Sequence, residues 1–133
     1  MSILSIAASG LAAASRRLEV SANNIANAQD TGPLPDAQNA GNFPPVYLAQ
    51  RVDQVEAAGG GTVANVRTAS PGYVTQYDPT APFADKNGLV AAPNVDLANE
   101  AVQQITARVE FEANAKVIQV YSEMMKSLLD IKV

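Results

Sequence analysis

The fold of this chain is decided by the segment PNVDLANEAVQQITARVEFEANAKVIQVYSEMMKSLLDIKV (93–133), which has no glycine and no proline after its first residue. An uninterrupted run of this length predicts one long helix. Asn94 or Asp96 is expected to cap its N-terminus, because either side chain can accept hydrogen bonds from the unpaired backbone N–H groups there. At about 1.5 Å per residue the helix would be roughly 55 Å long, which is too long for the interior of a small globule.

Apolar residues recur along this predicted helix at steps of three and four, so they lie on one helical face. Such a stripe predicts that another long helix packs beside this one. Its members are Ala98, Val102, Ile105, Val109, Ala113, Val117, Val120, Met124, Leu128 and Ile131.

The N-terminal segment, predicted to be helical over residues 2–28, provides a candidate partner. Large apolar residues recur there every seven positions, and a small residue follows each of the first three by four positions. This heptad pattern predicts that the two terminal helices pair along their apolar faces as a coiled-coil hairpin. Gly10 is expected to weaken the first helix by about 1 kcal/mol relative to alanine. The large residues are Leu4, Leu11, Leu18 and Ile25, and the small ones are Ala8, Ser15 and Ala22.

The middle of the chain predicts a small β part. Residues 46–55 and 62–68 are rich in β-formers and partly alternate, and Gly59-Gly60-Gly61 between them predicts the turn of a β-hairpin. Residues 73–77 are expected to extend this hairpin. Residues 32–45, rich in proline, glycine and asparagine, predict an irregular loop.

These elements together predict a mainly α fold with a small β part. We expect one structural domain with three regions: the N-terminal helix (1–31), the loop and β-hairpin region (32–92) and the long C-terminal helix (93–133). Aromatic residues are only 5% of the chain, and much of its apolar fraction is alanine. Because alanine buries little area, the core of a single copy is expected to be thin.

Composition argues against several classes of function. The net charge is −4, and Arg16-Arg17 is the only adjacent pair of cations, so binding to nucleic acid is not expected. There is no histidine and no cysteine, which removes the usual general base and the commonest soft metal ligands. We therefore expect no cofactor, no metal and no small-molecule substrate.

Candidate chemical motifs also fail on their spacing. Gly59-Gly60-Gly61-Thr62 lacks the lysine of a phosphate-binding loop, so a plain turn is favoured. The glycine of Asp85-Lys86-Asn87-Gly88 comes two positions too early for a calcium loop. Glu110 and Glu112 are two apart on a helix and point away from each other. The sequence therefore predicts that the protein is not an enzyme.

The segment SANNIANA (21–28) allows two interpretations. Its amides Asn23, Asn24 and Asn27 can cap the end of the first helix. They can also bond across closely packed helices and specify the register between subunits.

Two segments carry a family resemblance. IAASGLAAASRRLEVSANNIANAQDTG (6–32) resembles the N-terminal motif of flagellar basal-body rod and hook proteins, whose Ala-Asn-Asn-(Ile/Leu)-Ala-Asn-Ala signature stands at residues 22–28. ADKNGLVAAPNVD (84–96), with the helix after it, resembles the C-terminal part of proximal-rod proteins of that family, and Glu112-Ala113-Asn114 fits a further family element. The chain departs from the family pattern after Pro33, where residues 34–45 are rich in proline and asparagine.

The resemblance implies a structural subunit of the bacterial flagellar rod. Such subunits are exported by the flagellar type III system without a cleaved signal peptide, and they polymerise into a hollow, torque-transmitting shaft that spans the periplasm. It implies as partners other copies of the chain, other rod proteins and the proteins at the MS-ring and export-gate junction. Another axial rod or hook component, or a cytosolic coiled-coil adaptor, remains an alternative.

We predict one interface from the stripes and the amides together. It comprises Leu4, Leu11, Leu18, Asn23, Asn24, Ile25, Asn27, Val102, Ile105, Val109, Val117, Val120, Met124 and Leu128.

Overall fold

A computed structural model describes residues 2–37 and 40–131 of the chain. It is mainly helical with a small β part, as predicted. In chain order the elements are helix α1 (Ile3–Ala26), a short 3-10 turn (Ala40–Asn42), strands β1 (Gln50–Glu56), β2 (Thr62–Thr68), β3 (Tyr73–Tyr77) and β4 (Leu89–Pro93), and helix α2 (Leu97–Leu129).

Side chains cap both long helices. Ser2 precedes α1 and accepts a hydrogen bond from the Ser5 backbone N–H at 3.2 Å. Asp96 precedes α2, and its Oδ1 accepts from the Ala98 and Asn99 N–H groups at 2.9 and 3.2 Å. Of the two predicted caps of α2, Asp96 is therefore the one that acts. Asn94 instead donates its side-chain amide to the carbonyl of Pro71 at 3.0 Å.

The predicted β-hairpin forms between β1 and β2, which pair antiparallel with Val55 opposite Val63. Gly59, Gly60 and Gly61 in its turn have φ angles of 93°, 98° and 89°, a region that favours glycine. The first strand begins at Gln50 and not at Val46. The N–H of the preceding residue, Ala49, donates to the Gly72 carbonyl at 3.0 Å, while its carbonyl still accepts from the Ala69 N–H at 2.8 Å.

The prediction that residues 73–77 extend this hairpin was wrong. β3 pairs antiparallel with β4 in a separate two-stranded sheet, with Tyr77 opposite Leu89. The turn between them is held by Asp85, whose Oδ1 accepts from the Asn87 and Leu89 N–H groups at 2.8 Å each.

The core is small and consists largely of alanine. Part of it lies in β4, where Val90, Ala91 and Ala92 are buried, and Ala91 exchanges two 2.9 Å backbone hydrogen bonds with Gly32. The rest lies where α1 meets α2 and the hairpin. The buried apolar residues are Ala7, Ala13, Ala14, Val20, Val46, Ala49, Val90, Ala91, Ala92 and Ala107.

The two long helices lie side by side and antiparallel. The end of α1 meets the start of α2, where Ser21 Oγ donates to the Glu100 carbonyl at 3.0 Å. The start of α1 meets a later part of α2, where Gly10 contacts Asn114. The β1–β2 hairpin lies along another side of α1, and its Thr62 N–H donates to Ser9 Oγ at 3.1 Å. α1 therefore packs against both α2 and the hairpin.

Candidate assembly surface

The contact between the two helices is made by small and polar side chains. Ala7 and Ala14 of α1 are buried, as is Ala107 of α2. Gly10 faces Asn114 so closely that a Cβ on Gly10 would overlap the Asn114 side chain. The absence of large side chains in this seam lets the two backbones approach each other.

One ion pair crosses the middle of this seam. Nη1 of Arg17 donates to both carboxylate oxygens of Glu110, at 2.7 and 2.6 Å, and its Nη2 donates to Gln103 Oε1 at 2.8 Å. The Arg17 side chain is only 18% exposed. Charge-assisted bonds in a partly buried place are stronger than those of exposed pairs. Arg17 thus ties α1 to two positions of α2 that lie about two turns apart.

A cluster centred on Asn24 joins three elements where α1 ends. Asn24 is 1% exposed, and its amide nitrogen donates to the Gln50 carbonyl at 2.8 Å and to Glu100 Oε1 at 2.7 Å. Its amide oxygen accepts from the Gln50 N–H at 3.0 Å and from the Tyr47 hydroxyl at 2.9 Å. Burial, and secondly the negative charge of Glu100, raise the pKa of the Tyr47 hydroxyl. We call Asn24, Tyr47, Gln50 and Glu100 the Asn24 hub.

The three predicted amides therefore have different roles. Asn27 caps the end of α1, because its backbone N–H and its side-chain amide both donate to the carbonyl of Asn23. Asn24 is used inside the chain and contacts α2 and the hairpin. The capping interpretation holds for the contact between Asn23 and Asn27, whereas bonding across helices holds for Asn24 within one chain.

The predicted apolar stripes point away from the seam. On α1, Leu18 is 44% exposed, Leu4 and Ile25 are also exposed, and Leu11 is half-buried. On α2, Ile105 and Val109 are 65% and 59% exposed. The expectation that these stripes hold the two helices of one chain together was wrong, since smaller and more polar residues occupy that contact. The other predicted stripe residues of α2 are exposed as well: Val102, Val117, Val120, Met124 and Leu128.

The residues of the true seam repeat every seven positions, just as the leucines do. Gly10, Arg17 and Asn24 follow one heptad register on α1, and Ala7, Ala14 and Ser21 follow another. On α2, Glu100, Ala107 and Asn114 do the same. This second pattern was visible in the sequence, but its small and polar members carry a weaker hydrophobic signal than the leucines.

An apolar stripe that follows an exposed helix face marks a protein–protein interface more often than a free surface. Here α2 turns its polar and small face towards α1 and its apolar face towards solvent. It has 33 residues against 24 in α1, and residues 122–131 are all exposed. The outer faces of the two helices are therefore the candidate assembly surface.

A groove and the possible metal ligands are the other candidate sites in the described part of the chain. A groove of about 620 Å³ lies between α1, β1 and the start of α2, and its lining includes Arg17, Asn24, Arg51, Asp96 and Glu100. Across residues 2–37 and 40–131, histidine, cysteine, aspartate and glutamate form no group of three or more that could hold a metal ion. In the same ranges, no helix has the length and apolar character needed to cross a membrane.

Comparison with known proteins finds a flagellar rod family at each of the two long helices. Residues 4–33 match the family described as "Flagella basal body rod protein". Residues 86–131 match the family described as "Flagellar basal body rod FlgEFG protein C-terminal". The first match covers α1 and the second covers β4 and α2.

Similarity to individual proteins extends over nearly the whole chain. The flagellar basal-body rod protein FlgC of Salmonella typhimurium is 39% identical over 98% of this chain and 96% of its own. FlgC of Agrobacterium fabrum is 33% identical over 95% of this chain and 90% of its own. FlgC of Borreliella burgdorferi is 34% identical over 98% of this chain and 95% of its own. This chain belongs to the FlgC-type flagellar basal-body rod proteins.

Family membership covers the middle of the chain too, because the alignments to FlgC-type relatives run through the hairpin and the β3–β4 sheet. It agrees with the resemblance drawn from the asparagine signature and from the segment that leads into α2. No catalytic family is indicated by these relatives, which are structural proteins of the rod.

Proposed function

We propose that this protein is a structural subunit of the bacterial flagellar basal-body rod, where copies of it pack against one another and against other rod proteins. The observation that carries this proposal is the outward direction of the apolar stripes on α1 and α2. Family membership indicates the assembly, the flagellar rod, in which neighbouring subunits would cover those stripes.

The stripes account for the assembly in physical terms. Ile105 and Val109 lie on the face of α2 opposite Ala107, which packs on α1, so both faces of α2 are used once a neighbour is present. Each fully buried large aliphatic side chain contributes about 1.5–3 kcal/mol. Several such residues per subunit, repeated over many subunits, would give a polymer far more stable than the single chain with its alanine-rich core.

The finer parts of the proposal concern how subunits meet. The spacing of Leu4, Leu11, Leu18 and Ile25 favours coiled-coil packing of α1 with helices of neighbouring subunits, and the α2 stripe favours the same. We place the rod subunit in the periplasm-spanning shaft, and we expect the flagellar type III system to export it. Its neighbours would be other rod proteins and the proteins at the MS-ring and export-gate junction.

Torque transmission follows from this packing as a mechanical function. Many side-by-side helix contacts resist twisting, because rotation of the shaft would have to slide packed side chains past each other. The ion pair between Arg17 and Glu110 and the Asn24 hub brace each subunit internally, so that load on the hairpin is passed to both helices.

Complementation of a deletion strain tests the proposal. The bacterium that encodes the chain, with its own copy removed, should swim again when the unsubstituted chain is supplied. Val109→Asp should be exported into the medium at a normal level but should give no complete basal bodies in electron micrographs. Gln119→Asp adds the same charge at an exposed position of α2 outside the stripe, and it should restore swimming.

Two results would contradict the proposal. One is normal swimming of the deletion strain without any supplied copy. The other is normal basal bodies with Val109→Asp. A buried contact between subunits would not tolerate an unpaired charge, so this result would mean that Val109 is not buried there.

A further inference from the structure

The Asn24 hub uses every hydrogen-bonding position of one buried amide. A side-chain amide has two N–H donors and an oxygen with two lone pairs. Asn24 donates to Gln50 and Glu100 and accepts from Gln50 and Tyr47, at distances of 2.7 to 3.0 Å. No side chain of similar size can replace it: aspartate has no donor when ionised, and leucine has neither donor nor acceptor.

The hub lies where three elements meet. Asn24 is in the last turn of α1, Gln50 is the first residue of β1, and Glu100 is in the first turn of α2. The amide replaces the partner that the backbone of Gln50 would otherwise need at the base of the hairpin, and it pairs with the carboxylate of Glu100. A change in the position of any one element would leave a buried polar group without its partner.

The tip of the hairpin is held less firmly. There, the Thr62 N–H donates to Ser9 Oγ at 3.1 Å, next to the three-glycine turn. The base is held by two bonds to Gln50 and one to Tyr47, which precedes the strand. The base therefore determines the direction in which the hairpin runs along α1.

We propose that Asn24 is a positioning residue that fixes the β1–β2 hairpin relative to α1 and α2, and that it does so only while Glu100 holds the start of α2 against it. Within the proposed rod function, on which this role rests, the hub sets which face of the hairpin each subunit presents to its neighbours. Asn24 acts through other residues and touches no partner itself, since it is buried in the single chain.

Asn24→Asp tests the role because it keeps the size of the side chain and reverses one of its hydrogen-bonding edges. The introduced carboxylate still accepts from the Gln50 N–H and the Tyr47 hydroxyl, but it faces the Gln50 carbonyl and the Glu100 carboxylate and can donate to neither. The two like charges repel each other, and the repulsion is relieved when the pH falls and one carboxylate gains a proton. The other charged groups around the groove, Arg17, Arg51 and Asp96, are unchanged in all variants.

Glu100→Gln supplies the matched rescue. In the double variant N24D/E100Q, the glutamine amide can donate to the introduced carboxylate, so the bond between α1 and α2 is restored in the opposite direction. Asn24→Ala is the control that removes the amide without adding a charge. A residue that only filled space would show neither rescue nor a pH-dependent defect.

The experiment measures the hairpin position in the full-length chain by electron paramagnetic resonance. The native sequence has no cysteine, so Asn65→Cys on β2 and Ser122→Cys on α2, both exposed, place two spin labels cleanly. We expect one narrow distance distribution in the unsubstituted background. N24D should broaden it at pH 7.5 and narrow it again towards pH 4.5, N24A should broaden it at both, and N24D/E100Q should be narrower than N24D at pH 7.5.

Unfolding in urea provides a second measurement. At pH 7.5, N24D should raise the ratio of unfolded to folded chain at least about tenfold, as expected for a buried hydrogen bond lost beside a charge. N24D/E100Q should recover at least half of the shift in the urea midpoint. The proposal is overturned by a narrow distribution in N24D at pH 7.5, by a broad one in the unsubstituted chain, or by the lack of rescue in the double variant.

These outcomes are separate from those of the rod function. The distances are measured in single chains, so they do not depend on assembly. If the hub behaves as expected but the unsubstituted chain fails to complement the deletion strain, the rod function is wrong and the positioning role stands. If complementation succeeds and N24D leaves the distances unchanged, the positioning role is wrong and the rod function stands.

Discussion

Gly10 of α1 lies against Asn114 of α2 so closely that a Cβ built on Gly10 would be 2.5 Å from Asn114 Oδ1 and 2.6 Å from its Cγ. Contacts that short do not occur, so any larger residue at position 10 has to displace Asn114. The side chain of Asn114 is held in place by its own bond, since Nδ2 donates to the Glu110 carbonyl at 2.8 Å. The glycine that seemed to weaken α1 is therefore what allows the two helices to meet.

Gly10→Ala should destabilise the chain, although alanine favours a helix by about 1 kcal/mol over glycine. Overpacking of a tight contact costs about 1–3 kcal/mol, so we expect a net loss of about 1 kcal/mol in the free energy of unfolding measured in urea. Gly41→Ala is the control, because a Cβ there would have no heavy atom within 4 Å. Asn114→Ala should restore stability in the Gly10→Ala background, and a Gly10→Ala chain as stable as the original would contradict the close contact.

Arg17→Lys should weaken the seam between α1 and α2. Lysine cannot bond both Glu110 oxygens and Gln103 with a planar group, so the variant loses the two-turn tie. Because Glu110 is 40% exposed, solvent screens part of the interaction, and we expect a loss of about 1 kcal/mol in the free energy of unfolding.

Arg108→Lys is the matched control for this ion pair. Arg108 donates to Glu112 at 2.8 Å, four residues on, but both side chains are largely exposed. Its substitution should leave the urea midpoint unchanged. Equal effects of the two substitutions would mean that the partly buried pair contributes no more than a surface pair.

Leu18→Asp and Leu11→Asp should separate folding from assembly. Leu18 is 44% exposed, so its substitution should leave thermal unfolding of the single chain nearly unchanged while it blocks rod assembly. Leu11 is half-buried, and Leu11→Asp should lower the melting temperature as well. Ala12→Asp, at an exposed position of the same helix, should spare both. Normal motility with Leu18→Asp would exclude the α1 stripe from the subunit interface.

Asp85→Asn should reduce stability near neutral pH but not in strong acid. Bonds to the Asp85 carboxylate, first the one from the Leu89 N–H, lower the pKa of Asp85 below its usual value. A group whose pKa is lower in the folded state stabilises the fold above its unfolded pKa, and this contribution disappears as the pH falls through the folded pKa. The difference in urea midpoint between the two chains should therefore close as the pH falls through the lowered folded-state pKa of Asp85, and a difference that is the same at every pH would contradict the charge-dependent role.

The sequence predicted the two helices closely, because helix signals are local. The run from Leu97 to Leu129 has no breaker, so it predicts one long helix, whereas the sequence alone does not choose between Asn94 and Asp96 as its cap. The β2 strand was also predicted with its observed bounds. The pairing of β3 with β4 was not predicted. Strand pairing depends on which distant strand edge is free, and neither hydrophobic periodicity nor β-propensity identifies that edge.

The larger error concerns which face of each helix packs inward within the chain. The sequence predicts that a hydrophobic stripe makes the intrachain contact, as is usual for a globular protein, with Leu4, Leu18 and Val109 among its members. In a chain with so few large buried residues, the small and polar heptads of Gly10, Arg17 and Ala107 make that contact instead. Burial is a property of the packed state. When neighbouring subunits complete the packing, the sequence does not say which stripe is buried within one chain and which is buried by the neighbours.

By itself, the sequence determined the approximate extent of both helices, the hairpin turn, the absence of histidine and cysteine and the family of the chain. These follow from local backbone preferences and from residue identity. Only the tertiary structure decided three further points. The side chain of Asn24 forms its hydrogen bonds within the chain, Gly10 contacts α2, and the apolar stripes face outward. Those features depend on distances between residues far apart along the chain. The close approach of the two helix backbones sets these distances, and no local sequence pattern specifies them.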